Sequence, residues 1–270
     1  MSTTRNVAPA SQERVAELKE SLVEIKSRVE SASGRPRPAT LVAVSKLKPA
    51  SDILACHELG QRDFGENYVQ ELEEKAAQLP LPDIRWHFIG TLQSNKAKIL
   101  ATTPNIYAVQ TVTSAKAAIG LNKYVPADRS TPLNIFLQVN TSGEDNKSGL
   151  PPLSPSTANA EAELSQLALQ VIKECPRLHL QGLMTIGSLT ESLSSGEKNQ
   201  DFETLKQTRD ALEEVLCREL PNESERWGAD GRLMLSMGMS SDFEAALKAG
   251  SDVVRVGTSI FGTRPKKVAQ

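Results

Sequence analysis

The sequence predicts an α/β fold, a single closed (β/α)8 barrel of the TIM type with an extra N-terminal helix. Eight short apolar runs alternate with stretches of helical character, and this alternation implies parallel strands joined by helical crossovers. The length of 270 residues is typical of one such barrel. No G-x-G-x-x-G pattern follows the first strand, which weighs against an open dinucleotide-binding sheet.

The first elements follow from periodicity and from helix-ending residues. Apolar side chains recur among charges at helical spacing over residues 11–31, which predicts an amphipathic helix ahead of the barrel. The segment 34–38 contains one glycine and two prolines and ends that helix. The first strand is predicted over 39–46, and Pro49 begins a helix near 50–59.

The same strand–helix unit then repeats along the chain. Further strands are predicted over 62–65, 85–90, 106–111, 133–139, 179–186, 233–236 and 252–256, and helices over 67–78, 95–100, 114–123, 158–174, 201–218 and 242–249. Residues 189–200 are rich in Ser and Gly, which indicates a mobile surface segment. We expect a helical lead-in over 1–38, the barrel over 39–264 and a C-terminal tail over 265–270.

The composition excludes several classes of protein. The formal net charge is −2 and there is no dense basic run, so neither nucleic acid nor a membrane is an expected partner. Three cysteines, far apart and without a C-x-x-C pattern, predict reduced thiols and no metal site. No apolar run approaches the ~18 residues of a membrane span, and the first ten residues lack a signal-peptide core. The expected location is the cytoplasm, and a mitochondrial form stays compatible with the sequence.

Lys46 ends the first predicted strand and is the first candidate for chemistry. Val42, Val44 and Lys46 share one parity, so all three point to the same, apolar face of a strand. Burial favours the neutral amine, and a second cation nearby, for which Lys48 is the candidate, acts in the same direction. A neutral amine is what a Schiff base with a carbonyl compound requires. The alternative is a strand-end lysine that extends into solvent.

The last two predicted strands end in segments suited to binding phosphate, residues 236–244 and 254–262. In barrels of this type, phosphate groups often lie on the loops after strands seven and eight, near a helix N-terminus. Free backbone N–H groups and the positive end of the helix dipole are the physical reason. Ser240, Gly257 and Thr258 supply hydroxyls and an unobstructed backbone at these places.

Two features of this region have structural alternatives. Ser241 and Glu244 have the spacing of a capping box, so helix capping alone explains part of the pattern. Arg255 has the parity of an inward-facing residue and needs an acceptor. A carboxylate such as Glu66 is the structural candidate, and a ring nitrogen or a phosphate of a ligand is the functional one.

These features together describe a site for a phosphorylated aldehyde. In a closed barrel strand eight lies beside strand one, so the phosphate loops and Lys46 are neighbours. The phosphate would bind after strands seven and eight, and the carbonyl carbon would reach Lys46. Pyridoxal 5′-phosphate (PLP) has this form.

Six motifs, in order, resemble the pyridoxal phosphate homeostasis protein family. They are Ala43-Val44-Ser45-Lys46, Phe64-Gly65-Glu66-Asn67-Tyr68-Val69-Gln70-Glu71, Trp86-His87-Phe88-Ile89-Gly90, Gly182-Leu183-Met184, Ser236-Met237-Gly238-Met239-Ser240 and Arg255-Val256-Gly257-Thr258. The resemblance runs from about residue 39 to Gly262. It implies a barrel like the N-terminal domain of alanine racemase, the type III fold of PLP proteins. The segments 151–155 and 189–200 depart from the family pattern.

The resemblance assigns six residues to the cofactor PLP. They are Lys46 as the Schiff-base lysine, Asn67 at the cofactor's edge, Arg255 at the pyridine nitrogen, and Ser240, Gly257 and Thr258 at the phosphate. His87 and Met184 also belong to the motifs, but barrel packing explains both, and neither is among the predicted site residues. No catalytic residue and no metal ligand is predicted.

The expected function is PLP binding for intracellular PLP homeostasis, with supply of PLP to apo-enzymes implied by the family. An arginine at the pyridine nitrogen disfavours its protonation, which weakens the ring as an electron sink. A racemase also needs a second acid/base group, and of three tyrosines only Tyr68 follows a strand near the site.

Two enzymatic alternatives remain open at this point. One is a PLP-dependent racemase or lyase of small amino acids. The other is a Schiff-base aldolase that uses Lys46 without a cofactor. The expected partners are PLP and apo-forms of PLP enzymes, and the expected oligomeric state is a monomer because no second domain follows the barrel.

Overall fold

The computed structural model describes residues 7–34, 38–188, 191, 199–229 and 231–263 of the chain. Eight parallel strands pair in chain order, and the last pairs with the first to close a barrel. The strands are β1 Thr40–Val44, β2 Asp63–Glu66, β3 Arg85–Phe88, β4 Ile106–Val112, β5 Leu133–Gln138, β6 Leu178–Met184, β7 Met234–Ser236 and β8 Val253–Val256. The predicted (β/α)8 barrel is therefore confirmed.

Helices alternate with these strands as predicted. They are α1 Gln12–Ser33, α2 Ala50–Glu58, α3 Val69–Gln78, α4 Ala97–Thr102, α5 Ala115–Tyr124, α6 Glu163–Glu174, α7 Gln200–Glu219, α8 Phe243–Ala249 and α9 Thr258–Phe261, with 3-10 turns at Ser94–Lys96 and Ser224–Arg226. The segment predicted over 189–200 lies almost entirely outside the described residues.

One helix begins later than the sequence predicts, while the other predicted ends fall within two residues of the structure. The helix predicted from residue 158 begins at Glu163. The reason is a turn at Asn159, whose side-chain oxygen accepts hydrogen bonds from the backbone amides of Glu161 and Ala162. An asparagine that satisfies backbone amides in this way competes with helix formation.

The two faces of the strands bury different sets of side chains. The inside of the barrel contains an apolar cluster of Val42, Ala108, Phe136, Met184 and Val253, with Met234 packed against it. The opposite faces, for example Leu41 and Ala43 of β1, join the larger core between strands and helices. This division follows from the alternation of side chains along a strand. Met184 therefore packs the barrel interior.

The N-terminal helix α1 covers the seam where the barrel closes, packing on α2, α8 and α9. It buries Leu18, Leu22, Ile25 and Val29, which recur at helical spacing. The Arg28 guanidinium forms an ion pair with the Glu244 carboxylate of α8 at 2.9 Å. The extra helix is thus part of the barrel's outer layer. Among the described residues, no helix is both long enough and apolar enough to cross a membrane.

Candidate functional site at the barrel mouth

The turn that carries Lys46 follows directly on β1. The strand ends at Val44 and not at residue 46, so the prediction that Lys46 ends the strand is wrong by two residues. Leu47 has a φ of +61°, in the left-handed region, and a residue in this conformation cannot continue a strand. The chain therefore turns sharply just after Lys46, whose side chain is half-buried at the mouth.

A buried lysine, Lys75 of α3, forms hydrogen bonds to this turn and to two carboxylates beside it. Its Nζ donates to the carbonyl oxygen of Ser45 at 2.8 Å, to Glu66 Oε1 at 2.7 Å and to Glu71 Oε1 at 2.6 Å. Lys75 is only 5% exposed, so its charge is compensated by these carboxylates and not by water. The side chain from α3 thus ties the helix to the end of β1.

The same group of charges holds the peptide on the other side of Lys46. The backbone N–H of Leu47 donates to Glu71 Oε1 at 2.6 Å. Ser45 and Leu47, the two neighbours of Lys46, are therefore both bonded to the Lys75–Glu71 pair. This arrangement fixes the direction in which the Lys46 side chain leaves the backbone.

Glu66 is the anionic partner of this network at the end of β2. It is fully buried, and its Oε1 also accepts a hydrogen bond from Ser45 Oγ at 2.7 Å. Burial raises the pKa of Glu66, while Lys75 acts in the opposite direction. Lys48, the cation expected beside Lys46, directs its Nζ to the carbonyl oxygens of Phe261 and Thr263.

The loops after β7 and β8 meet beside the end of β1. The backbone N–H of Gly257 donates to Ser240 Oγ at 3.1 Å and joins the two loops. A Cβ added at Gly257 would lie 3.2 Å from the carbonyl oxygen of Val44, so glycine allows this close approach. Thr258 is exposed and begins α9, where the first backbone N–H groups have no partner within the helix.

The capping alternative for this region does not hold. Asp242, and not Ser241, directly precedes α8, and its Oδ1 accepts from the backbone N–H of Met239 at 2.6 Å. Ser241 is exposed, and the Glu244 carboxylate is engaged by Arg28. The predicted capping box is wrong because these two interactions replace it.

Arg255 of β8 points into the barrel and is 4% exposed. Its Nη1 donates to Ser236 Oγ and its Nη2 to the carbonyl oxygen of Thr185, each at 2.7 Å. Burial lowers the pKa of Arg255 to about 10, while Asp242 acts in the opposite direction. Glu66 is not the acceptor for Arg255, because its Oε1 binds Lys75 and its Oε2 has no hydrogen-bond partner among the described residues. The structural alternative proposed from the sequence is therefore wrong.

A cavity of about 240 Å³ opens at the C-terminal ends of the strands. It is bordered by loops that follow β2 to β6, and its walls include Asn67, Thr111, Gln138, Thr141 and Thr185. The Oδ1 atom of Asn67 is buried without a hydrogen-bond partner among the described residues. A buried acceptor of this kind is a place where a ligand donor gains a hydrogen bond.

The six predicted residues thus fall into two groups near the C-terminal ends of the strands, and only Asn67 is among the residues that line the cavity. Lys46, Ser240, Gly257 and Thr258 follow neighbouring strands, since β1 pairs with β8. Asn67 lies on the cavity wall, and Arg255 lies below it, bonded to the wall residue Thr185. No group of three or more possible metal ligands occurs among the residues that the structure describes.

Sequence reasoning missed the residues that support this site. Glu71 and Lys75 are four residues apart on α3, a spacing that signals an ion pair but not its contact with Ser45. His87 and Gln110 are joined inside the barrel, His87 Nδ1 to Gln110 Nε2 at 3.0 Å. The sequence did contain a signal for this contact, because a polar residue at an inward-facing position of a buried strand needs a hydrogen-bond partner.

Comparison with known proteins identifies the family. Residues 21–265 match the family model of the alanine racemase N-terminal domain. The chain belongs to this family. Its relatives include proteins named pyridoxal phosphate homeostasis protein, which confirms the resemblance that the six motifs indicate. The Schizosaccharomyces pombe protein is 43% identical over 242 residues, which cover 89% of this chain and 90% of that protein.

Other relatives carry the same name. The human protein is 41% identical over 251 residues, 89% of this chain and 84% of that protein. The Escherichia coli protein is 38% identical over 250 residues, 90% of this chain and 95% of that protein. Family membership therefore rests on matches along most of both chains.

Solved structures agree with the barrel. PipY of Synechococcus elongatus, in a structure with PLP bound, gives a TM-score of 0.66 at 31% identity and covers 91% of this chain and 100% of that chain. An alanine racemase of Clostridium difficile gives 0.68 at 13% identity, covering 94% of this chain and 59% of that chain. At 13% identity, the likeness to this alanine racemase shows only that the two proteins share a fold.

Proposed function

We propose that this protein binds PLP at the barrel mouth, as a Schiff base on Lys46, and serves intracellular PLP homeostasis. The observation that carries the proposal is the contact of the β8 loop with β1. At Gly257 that loop lies against Val44, two residues before Lys46. A phosphate on the loop and a carbonyl carbon at the lysine would thus belong to one small molecule. Relatives at 38–43% identity named for PLP homeostasis support this reading.

The residues at the mouth fit PLP chemically. The Gly257 N–H holds Ser240 Oγ beside the start of the helix at Thr258, so the Ser240 hydroxyl hydrogen and the helix start suit a phosphate dianion. The unpartnered Oδ1 of Asn67 suits a hydroxyl donor on the ring. The guanidinium of Arg255 is buried and can only donate hydrogen bonds, so it suits an acceptor such as an unprotonated ring nitrogen.

When bound, PLP supplies an aldehyde that reacts reversibly with amines. The chain's own part is to hold Lys46 on a turn that Lys75 and Glu71 fix from both sides. Lys46 is half-buried, and the amine of such a lysine is the group that reacts with a carbonyl.

A carrier function is better supported than racemase or lyase chemistry. Tyr107 packs its ring 5.2 Å from the ring of His87, and Tyr124 lies near Lys98 and Lys123. Tyr68 is 52% exposed outside the cavity described above. Arg255 at the ring nitrogen would also weaken the ring as an electron sink. We therefore propose no catalytic residue.

The proposed partners are PLP and apo-forms of PLP-dependent enzymes, and the proposed state is a cytoplasmic monomer. To test the function, the protein is loaded with PLP, freed of excess, and mixed with an apo-aminotransferase. We expect the aminotransferase to regain activity as the carrier loses its visible absorbance. Racemisation or cleavage of free amino acids at ordinary enzymatic rates, lost in Lys46→Ala, would instead establish an enzyme.

A further inference from the structure

A chain of side-chain hydrogen bonds crosses the inside of the barrel and ends on Arg255. It joins Asp63 Oδ1 to His87 Nε2 at 2.9 Å and His87 Nδ1 to Gln110 Nε2 at 3.0 Å. It continues from Gln110 Oε1 to Ser236 Oγ and from Ser236 Oγ to Arg255 Nη1, both at 2.7 Å. All five residues are at most 6% exposed, so water does not share these bonds.

The direction of every bond follows from the chemistry of Arg255. A guanidinium only donates, so Ser236 Oγ must accept from Arg255 and use its own hydrogen toward Gln110. The Gln110 oxygen therefore faces Ser236, and its amide nitrogen faces His87. The hydrogen bonds therefore all donate in one direction, from Arg255 to Ser236, from Ser236 to the Gln110 oxygen and from the Gln110 amide to His87.

The same argument fixes the state of the imidazole. His87 Nδ1 accepts from the Gln110 amide and carries no proton, so the ring proton lies on Nε2 and is donated to Asp63. Arg85 also donates to Asp63, with Nε 2.8 Å from Oδ1, and this cation favours the charged carboxylate that accepts from His87. Two charged ends, Asp63 and Arg255, therefore orient three neutral groups between them.

Both terminal nitrogens of Arg255 are held in this arrangement. Nη1 bonds to Ser236 Oγ and Nη2 to the carbonyl oxygen of Thr185, each at 2.7 Å. Two contacts on two nitrogens define the plane of a guanidinium. Thr185 borders the mouth cavity, so this plane is set relative to the cavity wall. Asp242 is a further charged group that acts on Arg255.

We propose that Gln110, with Ser236 and His87, is a positioning residue that holds Arg255 against the ring nitrogen of bound PLP. The inference rests on the proposed function and goes beyond it. Gln110 is fully buried and is not among the residues that line the cavity, so it acts through the serine. Its role is to keep the hydroxyl of Ser236 turned toward itself, so that the serine lone pairs remain available to Arg255.

The test uses the full-length protein and PLP labelled with nitrogen-15 at the ring. Gln110→Met keeps the length of the side chain and removes both hydrogen bonds. The ring-nitrogen chemical shift is followed across about pH 5 to 8, because a nearby cation lowers the pKa of that nitrogen. We expect the wild type to stay unprotonated, and Gln110→Met to move toward the protonated shift at low pH, with PLP affinity about fivefold weaker.

Matched variants separate positioning from stability. Gln61→Met removes another buried glutamine, whose Nε2 donates to the carbonyl oxygens of Leu41 and Asp63. It should lower stability without moving the nitrogen-15 titration. Ser236→Ala should reproduce the effect of Gln110→Met. Ser236→Thr, which keeps the hydroxyl, should retain most of the wild-type titration and PLP affinity.

The outcomes distinguish the two proposals. Wild-type protein that binds PLP, together with unchanged titration and affinity in Gln110→Met and Ser236→Ala, would overturn the positioning role alone. Wild-type protein that binds no PLP would overturn the proposed function, and this inference with it. If Gln110→Met does not fold, the Ser236→Ala and Ser236→Thr pair decides the question by the same titration.

Discussion

Lys75 Nζ lies 2.8 Å from the carbonyl oxygen of Ser45, the residue immediately before Lys46. This single contact couples helix α3 to the turn that carries the candidate Schiff-base lysine. It also places a second, buried cation next to that turn, in the position that sequence reasoning gave to Lys48. The stability of the fold and the geometry of the site therefore depend on the same side chain.

Removing Lys75 should strongly destabilise the protein. In Lys75→Met the fully buried Glu66 loses its cation, and an uncompensated buried charge costs about 3–5 kcal/mol. The free energy of unfolding from urea denaturation measures this effect. The double variant Lys75→Met with Glu66→Gln should recover part of the loss, because the buried charge is gone.

The matched control is Lys206→Met on α7. Lys206 pairs with Glu203 at 2.9 Å, and both side chains are about one-third exposed. Such a pair contributes less than about 1 kcal/mol. Equal losses in Lys75→Met and Lys206→Met would contradict the assignment of Lys75 as the support of this turn.

Substitution of Gly257 should weaken PLP binding. In Gly257→Ala the added Cβ meets the carbonyl oxygen and Cβ of Val44 at 3.2 and 3.3 Å, so the loop must move away from β1. We expect a stability cost of about 1–2 kcal/mol and a clear loss of PLP affinity in an absorbance titration. Gly120→Ala meets the side chain of Ala97 at 3.1 Å, outside the site, and should leave the affinity unchanged.

The pH dependence of stability should report on Asp63. Burial opposes its charge, but hydrogen bonds from Arg85 and His87 outweigh this and lower the pKa of Asp63 to about 2. Because this value lies below the ordinary 3.8, charged Asp63 stabilises the fold above about pH 4. That stabilisation is lost as the pH falls from about 4 toward 2.

The measurement compares wild type with Asp63→Asn by urea denaturation at several pH values. The difference should be about 2 kcal/mol at pH 7 and should shrink below about pH 4. Asp145→Asn, at an exposed position, should show no such trend. A difference that stays constant down to pH 3 would contradict the proposed role of the Asp63 carboxylate.

The three cysteines should differ sharply in reactivity. Cys56 and Cys175 are buried and Cys217 is exposed. Burial raises the pKa of Cys56 to about 12, so its reactive thiolate is scarce at neutral pH. Alkylation of the native protein followed by peptide mass mapping should modify Cys217 first. Rapid labelling of Cys56 in folded protein would be inconsistent with the packing of α2.

The barrel was predictable because its determinants are local. Strands buried on both faces appear as short apolar runs, and eight of them alternate with amphipathic helices. Strand β1 shows the limit of this reasoning. Val42, Val44 and Lys46 share one parity, so the sequence predicts a strand that continues to Lys46. The left-handed backbone at Leu47 ends the strand earlier. Nothing about a leucine signals that conformation, in which the Leu47 N–H donates to the distant Glu71 carboxylate.

The support of the site was beyond sequence reasoning because it is non-local. Gln110 and Ser236 are 126 residues apart, and they meet because their side chains from β4 and β7 both lie inside the closed barrel. Arg255 was correctly expected to face inward from its parity. Its acceptors, a serine hydroxyl and a backbone carbonyl oxygen, carry no pattern that a sequence displays.

The most direct test of the central proposal is borohydride reduction of the protein incubated with PLP. Wild type, Lys46→Ala and Lys48→Ala are compared by visible absorbance and by mass mapping of the modified peptide. Lys48 is the neighbouring control, because its Nζ is bonded to backbone carbonyl oxygens. We expect reduced cofactor on Lys46 in wild type and in Lys48→Ala, and none there in Lys46→Ala. A wild type that stays colourless and unmodified after addition of PLP would contradict the assignment of the barrel mouth as a PLP site.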